Sequence, residues 1–431
     1  MGQMEESEKS KTNRFLVPVS EMPSRGGGLA FLSHAFKPFS YRDFRLMWLG
    51  AFTSTTGAWM QQVAEAWMVL DLTGSAFYLG LTAFLGQLPI ILFSLVGGVV
   101  ADRIDRRKLL LGSQYIQMVT ALVLTGLIIL DWIQMWHFLI AVFVVGSAQS
   151  FGGPAYQALL PGLVDRKYLP NAIALNSLQF NLARFIGPIL AGLTLSLGGP
   201  AFCFAINGIS FLAVITSLYI IRSSFSPPKT KESVMEGMKR GFAFLKERGA
   251  LWQLSVLGFI GTFCGISLVM LLPVFAKEVF QIGLTGYSTM MAISGAGAVV
   301  GAILYAGLAG TKSGGTMTLK VQLTLSVLIT VFAFSTNLSF SYFVLFLSGA
   351  VMIGLFASIN SLVQLNTTEE MRGRVMSIFF LAFRGGMPLG GLVAGFLASQ
   401  ISASFALVVM GAILCFSALA FLFSSSQLKE V

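Results

Sequence analysis

The sequence predicts an all-α membrane protein: twelve transmembrane helices in two pseudo-symmetric six-helix bundles. Three observations lead there. Apolar stretches of about twenty residues recur along the chain, each long enough to cross a bilayer of about 30 Å. Hydrophobic residues make up 55% of the 431 and charged residues 11%, whereas soluble domains carry about 25% charged residues. One pattern also occurs twice, as Ser177-x6-Arg184-x3-Pro188 and as Ser377-x6-Arg384-x3-Pro388, 200 residues apart.

The elements follow in order. Residues 1–40 are polar, with no early apolar core and no cleavage site, and read as a disordered cytoplasmic tail, not a signal peptide. Residues 41–221 hold the first six spans: Phe44–Val69, Phe77–Val100, Leu109–Leu130, Trp136–Leu160, Ala172–Leu195 and Ala201–Ile221. Residues 222–251 form a polar central loop. In it Val234, Met235, Met238, Phe242 and Leu245 recur at helical spacing, which reads as an amphipathic helix on the cytoplasmic membrane surface. Residues 252–423 hold the second six: Trp252–Phe275, Gly286–Ala309, Val321–Leu338, Phe340–Leu365, Val375–Ala398 and Ser402–Phe423, followed by a short tail, 424–431. In lipid each span must satisfy its own backbone hydrogen bonds, so each is helical.

Charge fixes the expected orientation. With the N-terminus in the cytoplasm, 25 of the 28 Lys and Arg residues fall on the cytoplasmic side and one, Lys277, falls outside. Arg184 and Arg384 lie within spans. This bias places both termini of a multi-pass membrane protein in the cytoplasm. It also accounts for the net charge of +10 without a nucleic-acid partner.

Between the second and third spans, six of the seven residues from Asp102 to Lys108 are ionisable. The run resembles the signature loop of the major facilitator superfamily, roughly G-x-x-x-D-R-x-G-R-R. Gly98, Asp102, Arg103, Arg106 and Arg107 fall in register, and Asp105 replaces the second glycine. The resemblance implies the major facilitator fold, with parallel repeats meeting around a central site. It also implies a conformational latch, in which Asp102 caps the third helix and holds the start of the eleventh, where Arg374 is the candidate partner. A solvated positive loop is the alternative. Gly187-Pro188-Ile189-Leu190-Ala191-Gly192 resembles the G-P-x-x-G-G kink of drug–proton antiporters, with Ala191 departing from it. That favours export, with Gly187, Pro188 and Gly192 as the kink residues, while ordinary small-residue packing is the other reading. The segments Pro154–Pro161, Leu169–Ser177 and Met371–Ser377 look like a bacterial branch that includes the enterobactin exporter and macrolide efflux pumps. The fourth span lacks the arginine that many such antiporters carry and offers Gln149 instead.

A charged side chain at the centre of a span costs about 2.5–3.5 kcal/mol, so Arg184 and Arg384 must face protein. Asn176, Ser177 and Asn181 share the face of Arg184 at helical spacing. Arg184 either lines the central cavity, binding an anion or setting the field on an acid, or clamps neighbouring helices. Glu65 is the acid well inside a span, about one turn from its outer end. Ser54, Gly57, Ala58 and Gln61 share its face. It is the candidate proton-coupling group, against the alternative of a solvated interfacial carboxylate.

Cys203, Cys264 and Cys415 lie in apolar segments and read as packing residues. No ATP-binding loop occurs, and His34 and His137 form no metal pattern, so no cofactor and no enzymatic activity are expected. The expected protein is a monomeric secondary exporter of small amphiphilic molecules in the lipid bilayer, driven by protons. Uptake, lysolipid flipping and a non-transporting scaffold are the alternatives.

Overall fold

The computed structural model describes residues 35–101, 104–221, 234–308, 314–424 and 428. The calls made on the tail before residue 35, on Asp102 and Arg103, and on most of the loop between 222 and 233 lie outside the described residues. Among those described, the chain is helical throughout, with no strand.

A 3-10 turn, Lys37–Ser40, leads into α1, Arg42–Thr73, which Gly74 closes in the left-handed region at φ 59. Then come α2, Ala76–Ala101, α3, Arg106–Ile129, and α4, Met135–Leu159. Leu169–Ile220 is hydrogen-bonded as one run, but Gly199 takes φ 68 and ψ −170 at a non-helical corner ahead of Pro200. Only glycine adopts that backbone cheaply, so the run is two helices, α5 (169–198) and α6 (200–220). After the central loop lies a short helix, α7, Val234–Glu247. The second set is α8, Gly249–Val274, extended by a π-helical turn Phe275–Val279, then α9, Gly283–Leu308, α10, Gly315–Phe334, α11, Leu338–Leu365, α12, Glu369–Gln400, and α13, Ala403–Ser424. Among the described residues, ten segments are long and apolar enough to cross a membrane by length and composition. The continuous α5–α6 run is one of them, and α1, with charged ends and a polar stripe, is less apolar than these.

The third helix starts differently from the expectation. Its N-cap is Asp105, whose carboxylate accepts from the Arg107 N–H at 2.8 Å. The residue that departs from the family pattern therefore caps the helix itself. At the other end of the same bundle Gln134 and His137 form a reciprocal cap for α4, with the Gln134 N–H donating to His137 Nδ1 at 3.0 Å.

The two halves repeat their packing as well as their sequence. Apolar lipid offers little drive to helix association, so small residues that admit close backbone contact set the crossings. Gly146 of α4 sits on the backbone of Gly86 in α2, and Gly349 of α11 sits likewise on Ser294 in α9. Gly208 of α6 meets Leu122 of α3, and Gly411 of α13 meets Thr330 of α10. Gly187 of α5 abuts the Thr56–Met60 turn of α1, and Gly386 of α12 abuts Phe259–Phe263 of α8. The halves meet along two seams, α2 with α12 and α5 with α9.

One end of the bundle gathers the charged turns around 105–108, 165–168, 240–248 and 372–374, and is called the basic end below. There a buried cluster of Phe44, Met47, Leu110, Leu159, Leu175 and Leu218 ties the first half together. Tyr41 donates its phenol proton to Asp165 at 2.6 Å in the turn before α5. That acceptor carboxylate pushes the Tyr41 phenol up to about 12.

Candidate functional site

Several close contacts across the seams lie away from the basic end. On the α2–α12 seam, Gly80 lies against the Gly391 carbonyl and Gly395 against Ala76. On the α5–α9 seam, Gly192 faces Ser288, and nearer mid-membrane Gly295 lies against the backbone of Arg184 and Phe185. Two side-chain contacts also join the halves on that side. Lys277 Nζ reaches Asp71 Oδ1 at 2.8 Å, joining the π-helical turn after α8 to the last turn of α1. Trp67 of α1 stacks on Tyr287 of α9 with centroids 6.3 Å apart, and the Lys277 ammonium stands 6.0 Å from the Trp67 ring. The ion pair is well exposed, so its contribution is about 1 kcal/mol or less. Sequence reasoning noted Lys277 as the solitary outer cation and missed its partner. Asp71, at the end of the first helix on the same side, was the available signal.

Glu65 sits next to these contacts. Helix α1 runs on to Thr73, so Glu65 lies two turns from its end rather than one. Gln61 is its hydrogen-bonding neighbour, and Asn207 of α6 donates to Gln61 Oε1 at 2.6 Å. A polar chain Asn207–Gln61–Glu65 thus leads from α6 to the carboxylate. Buried Tyr287, from the other half, lies within electrostatic reach of Glu65. The small-residue stripe of α1 serves packing more than the cavity: Gly50 meets Ser217 and Gly57 meets Ser210 and Asn207, all on α6.

Arg184 is half-buried with its guanidinium 5.7 Å from the Trp59 ring centroid. A cation over an aromatic face is held by the ring quadrupole. The amides that share its helical face are engaged elsewhere. Asn176 Oδ1 accepts from Tyr156 of α4 at 2.6 Å, and Asn181 donates to the Ser177 carbonyl at 2.8 Å. Gln149, in a span without the arginine of many such antiporters, donates to Gln117 of α3 at 3.2 Å. Arg384 is exposed. It shares a stripe of α12 with Gly391 and Gly395, seven and eleven residues on, which is the stripe that meets α2.

Three of the residues assigned to the latch, Gly98, Arg106 and Arg374, are among those described. Gly98 lies near the end of α2. Arg106 donates to the Ala158 carbonyl of its own bundle at 3.2 Å. Arg374 Nη1 lies 3.7 Å from Met371 Sδ, and Gly241 of α7 packs against the Arg374 backbone and Ile378. Of the kink residues, Gly187 and Pro188 are buried, and Gly192 reaches the seam at Ser288.

Comparison with known proteins agrees with this architecture. The profile of a family described as transmembrane secretion effector matches residues 33–431. The multidrug efflux pump Tap of Mycolicibacterium fortuitum is 27% identical over 376 residues, 82% of this chain and 88% of its own. Macrolide efflux protein A of Streptococcus pyogenes is 24% identical over 385 residues, covering 86% of this chain and 93% of its own. The enterobactin exporter EntS of Escherichia coli is 26% identical over 390 residues, covering 86% and 90%. Among solved structures, a bacterial homolog of the human lysosomal transporter Spinster, inward-facing and unoccupied, superposes with a TM-score of 0.72 at 13% identity, over 91% of this chain and 98% of that one. The nucleoside transporter NupG superposes with a TM-score of 0.67 at 16% identity, over 89% and 100%.

Proposed function

The chain belongs to the transmembrane secretion effector family of the major facilitator superfamily, and from that premise we propose that it is a proton-driven exporter of small amphiphilic molecules that works by alternating access. It is a multi-pass membrane transporter rather than an enzyme. The proposal adds a bacterial inner-membrane location, both termini in the cytoplasm by the distribution of Lys and Arg, and a monomeric working unit.

The observation that supports the proposal is the position of Glu65: on α1, two turns from its end, beside Tyr287 of the other half and next to the contacts Trp67–Tyr287 and Lys277–Asp71. An intramembrane carboxylate is costly when charged and unpaired, and it marks a proton site by default. With the basic end in the cytoplasm, Trp67–Tyr287 and Lys277–Asp71 join the two halves on the outer side. When the halves rock the other way, Tyr287 and Lys277 withdraw with the second half and Glu65 meets outer water. It takes up a proton there as substrate leaves. The neutral carboxyl group tolerates reclosure, and the proton is then released toward the cytoplasm, where the ion again accepts from Gln61. One proton enters for each such cycle that exports substrate. The Gly187–Pro188–Gly192 element supports the export direction, as do the efflux relatives. The latch assigned to Gly98, Asp102, Arg103, Arg106 and Arg374 belongs to the opposite, outward-facing state.

The test uses inverted membrane vesicles and a panel of fluorescent amphiphiles of both charge signs. Energised vesicles with the wild-type protein accumulate at least one member, a protonophore abolishes accumulation, and Glu65→Gln abolishes it while leaving the protein inserted. Accumulation that survives the protonophore, or movement only in the opposite direction, overturns the proposal.

A further inference from the structure

We propose that the substrate of the central cavity is an organic anion with a flat aromatic body, held between two equivalent phenyl–guanidinium pairs, Phe180–Arg184 and Phe380–Arg384. This rests on the transport reading above and gives its substrate a charge sign and a shape.

The internal repeat extends further than Ser, Arg and Pro. Phe180 precedes Arg184 by four residues, and Phe380 precedes Arg384 by four, again 200 residues apart. A spacing of four places each ring one turn from its guanidinium on the same face. Helices α5 and α12 are the counterparts in the two bundles, and each forms a seam with the other half. Repeats related by an axis along the membrane normal place equivalent faces across the central cavity from one another.

The structure shows that these faces are uncovered. Phe180 is 50% and Phe380 44% exposed. Each lies toward the basic end from the contacts that close the seams, Gly295 on Arg184–Phe185 and Gly391 on Gly80. On helices that form the seams, both rings thus stand uncovered by protein on the basic-end side of those contacts. Trp59 of α1 completes one wall: its ring meets Phe180 edge-on at 5.9 Å and lies under the Arg184 guanidinium at 5.7 Å.

Charge sets the sign. Neither Arg184 nor Arg384 has a carboxylate partner among the described residues. Glu65 lies six residues beyond Trp59 along α1, about 9 Å at 1.5 Å per residue, with Gln61 and Tyr287 around it. Two guanidinium groups with no carboxylate partner among the described residues favour a negative ligand, and their forked donors suit a carboxylate, sulfonate or ionised phenol. The rings and Trp59 supply apolar faces for a planar body.

Binding of two pyrene probes to the purified full-length protein, measured by fluorescence in detergent, separates this from the proton-coupling reading, because no gradient is involved. Pyrenesulfonate is expected to bind at least tenfold more tightly than pyrenylmethyl-trimethylammonium, which carries the same ring and the opposite charge. Arg384→Gln, at an exposed position, lowers sulfonate affinity about tenfold and leaves the ammonium probe within twofold. Arg184→Lys retains more sulfonate binding than Arg184→Gln. Phe380→Ala weakens the sulfonate probe more than free sulfate. Equal affinity for both probes, tighter binding of the cation, or sulfonate binding unchanged in Arg384→Gln overturns the proposal. Loss of proton-driven transport in Glu65→Gln with sulfonate binding intact leaves it standing.

Discussion

Substituting Gly80 by alanine gives the sharpest quantitative expectation. A Cβ at Gly80 would lie 2.5 Å from the Gly391 carbonyl oxygen and 3.0 Å from the Leu392 Cα, both backbone atoms of α12 across the seam. No flexible side chain can yield there, so the helices must separate. Overpacking of this kind costs about 1–3 kcal/mol. The cost falls only on the state in which the seam is closed at this end, because the nearest atoms all belong to the other half. The gain in α2 helix propensity is common to both states and cancels. At about 1.4 kcal/mol per tenfold, the population with this end open rises about 5- to 150-fold. Ser288 reports it: it is buried at the α5–α9 seam beside Gly192. In a background with Cys203, Cys264 and Cys415 replaced by alanine, Ser288→Cys is labelled by a maleimide at a rate proportional to the open population. Gly80→Ala should raise that rate within the stated range. An unchanged rate at unchanged thermal stability would refute rigid-body parting of the two halves at this seam.

Other outcomes follow from single contacts. Asp105→Ala removes the α3 cap and should cost about 0.5–2 kcal/mol, read as a lower unfolding temperature in detergent. Gly199→Ala forces a side chain into the left-handed region, which costs roughly 1–2 kcal/mol, and should destabilise the protein more than a change at Gly112, where a Cβ meets open space. The Tyr41 phenol is raised toward about 12 by Asp165. Its folded value lies above the ordinary value, so its stabilising contribution is complete below the ordinary phenol range and fades as pH rises through the folded value. Wild type should therefore lose stability relative to Tyr41→Phe between about pH 10 and pH 12. Lys277→Asp should bring like charges together opposite Asp71 and speed Ser288→Cys labelling, and Asp71→Lys in the same protein should reverse this, because the pair is reconstituted with exchanged signs.

The fold was legible because the bilayer constrains it. Lipid demands apolar spans of a set length, and charge bias orders their ends, so Arg106–Ile129 and Ala403–Ser424 fall close to their expected spans. The corner at Gly199 was legible in part, since Gly-Pro marks a break, although hydrogen bonding runs through it. Partners across helices were much less legible. Helical periodicity says which residues of one helix share a face, but not what that face meets. Thus Gln61 neighbours Glu65, whereas Gly57 packs on α6, and Arg184 lies against Trp59 rather than Asn176 or Asn181. Asp105 was read as a departure from a pattern because a family motif does not state which residue caps the helix. The Lys277–Asp71 pair joins positions 206 residues apart, a distance over which no local pattern operates.

The most direct measurement of the central claim is transport into proteoliposomes with an acidic lumen, using an amphiphile that the vesicle panel identifies as exported. Molecules with the basic end outward should concentrate it above equilibrium at the expense of the pH gradient, and Glu65→Gln should only equilibrate it. Concentration by Glu65→Gln at the wild-type level, or wild-type movement indifferent to the gradient, would contradict proton coupling at Glu65.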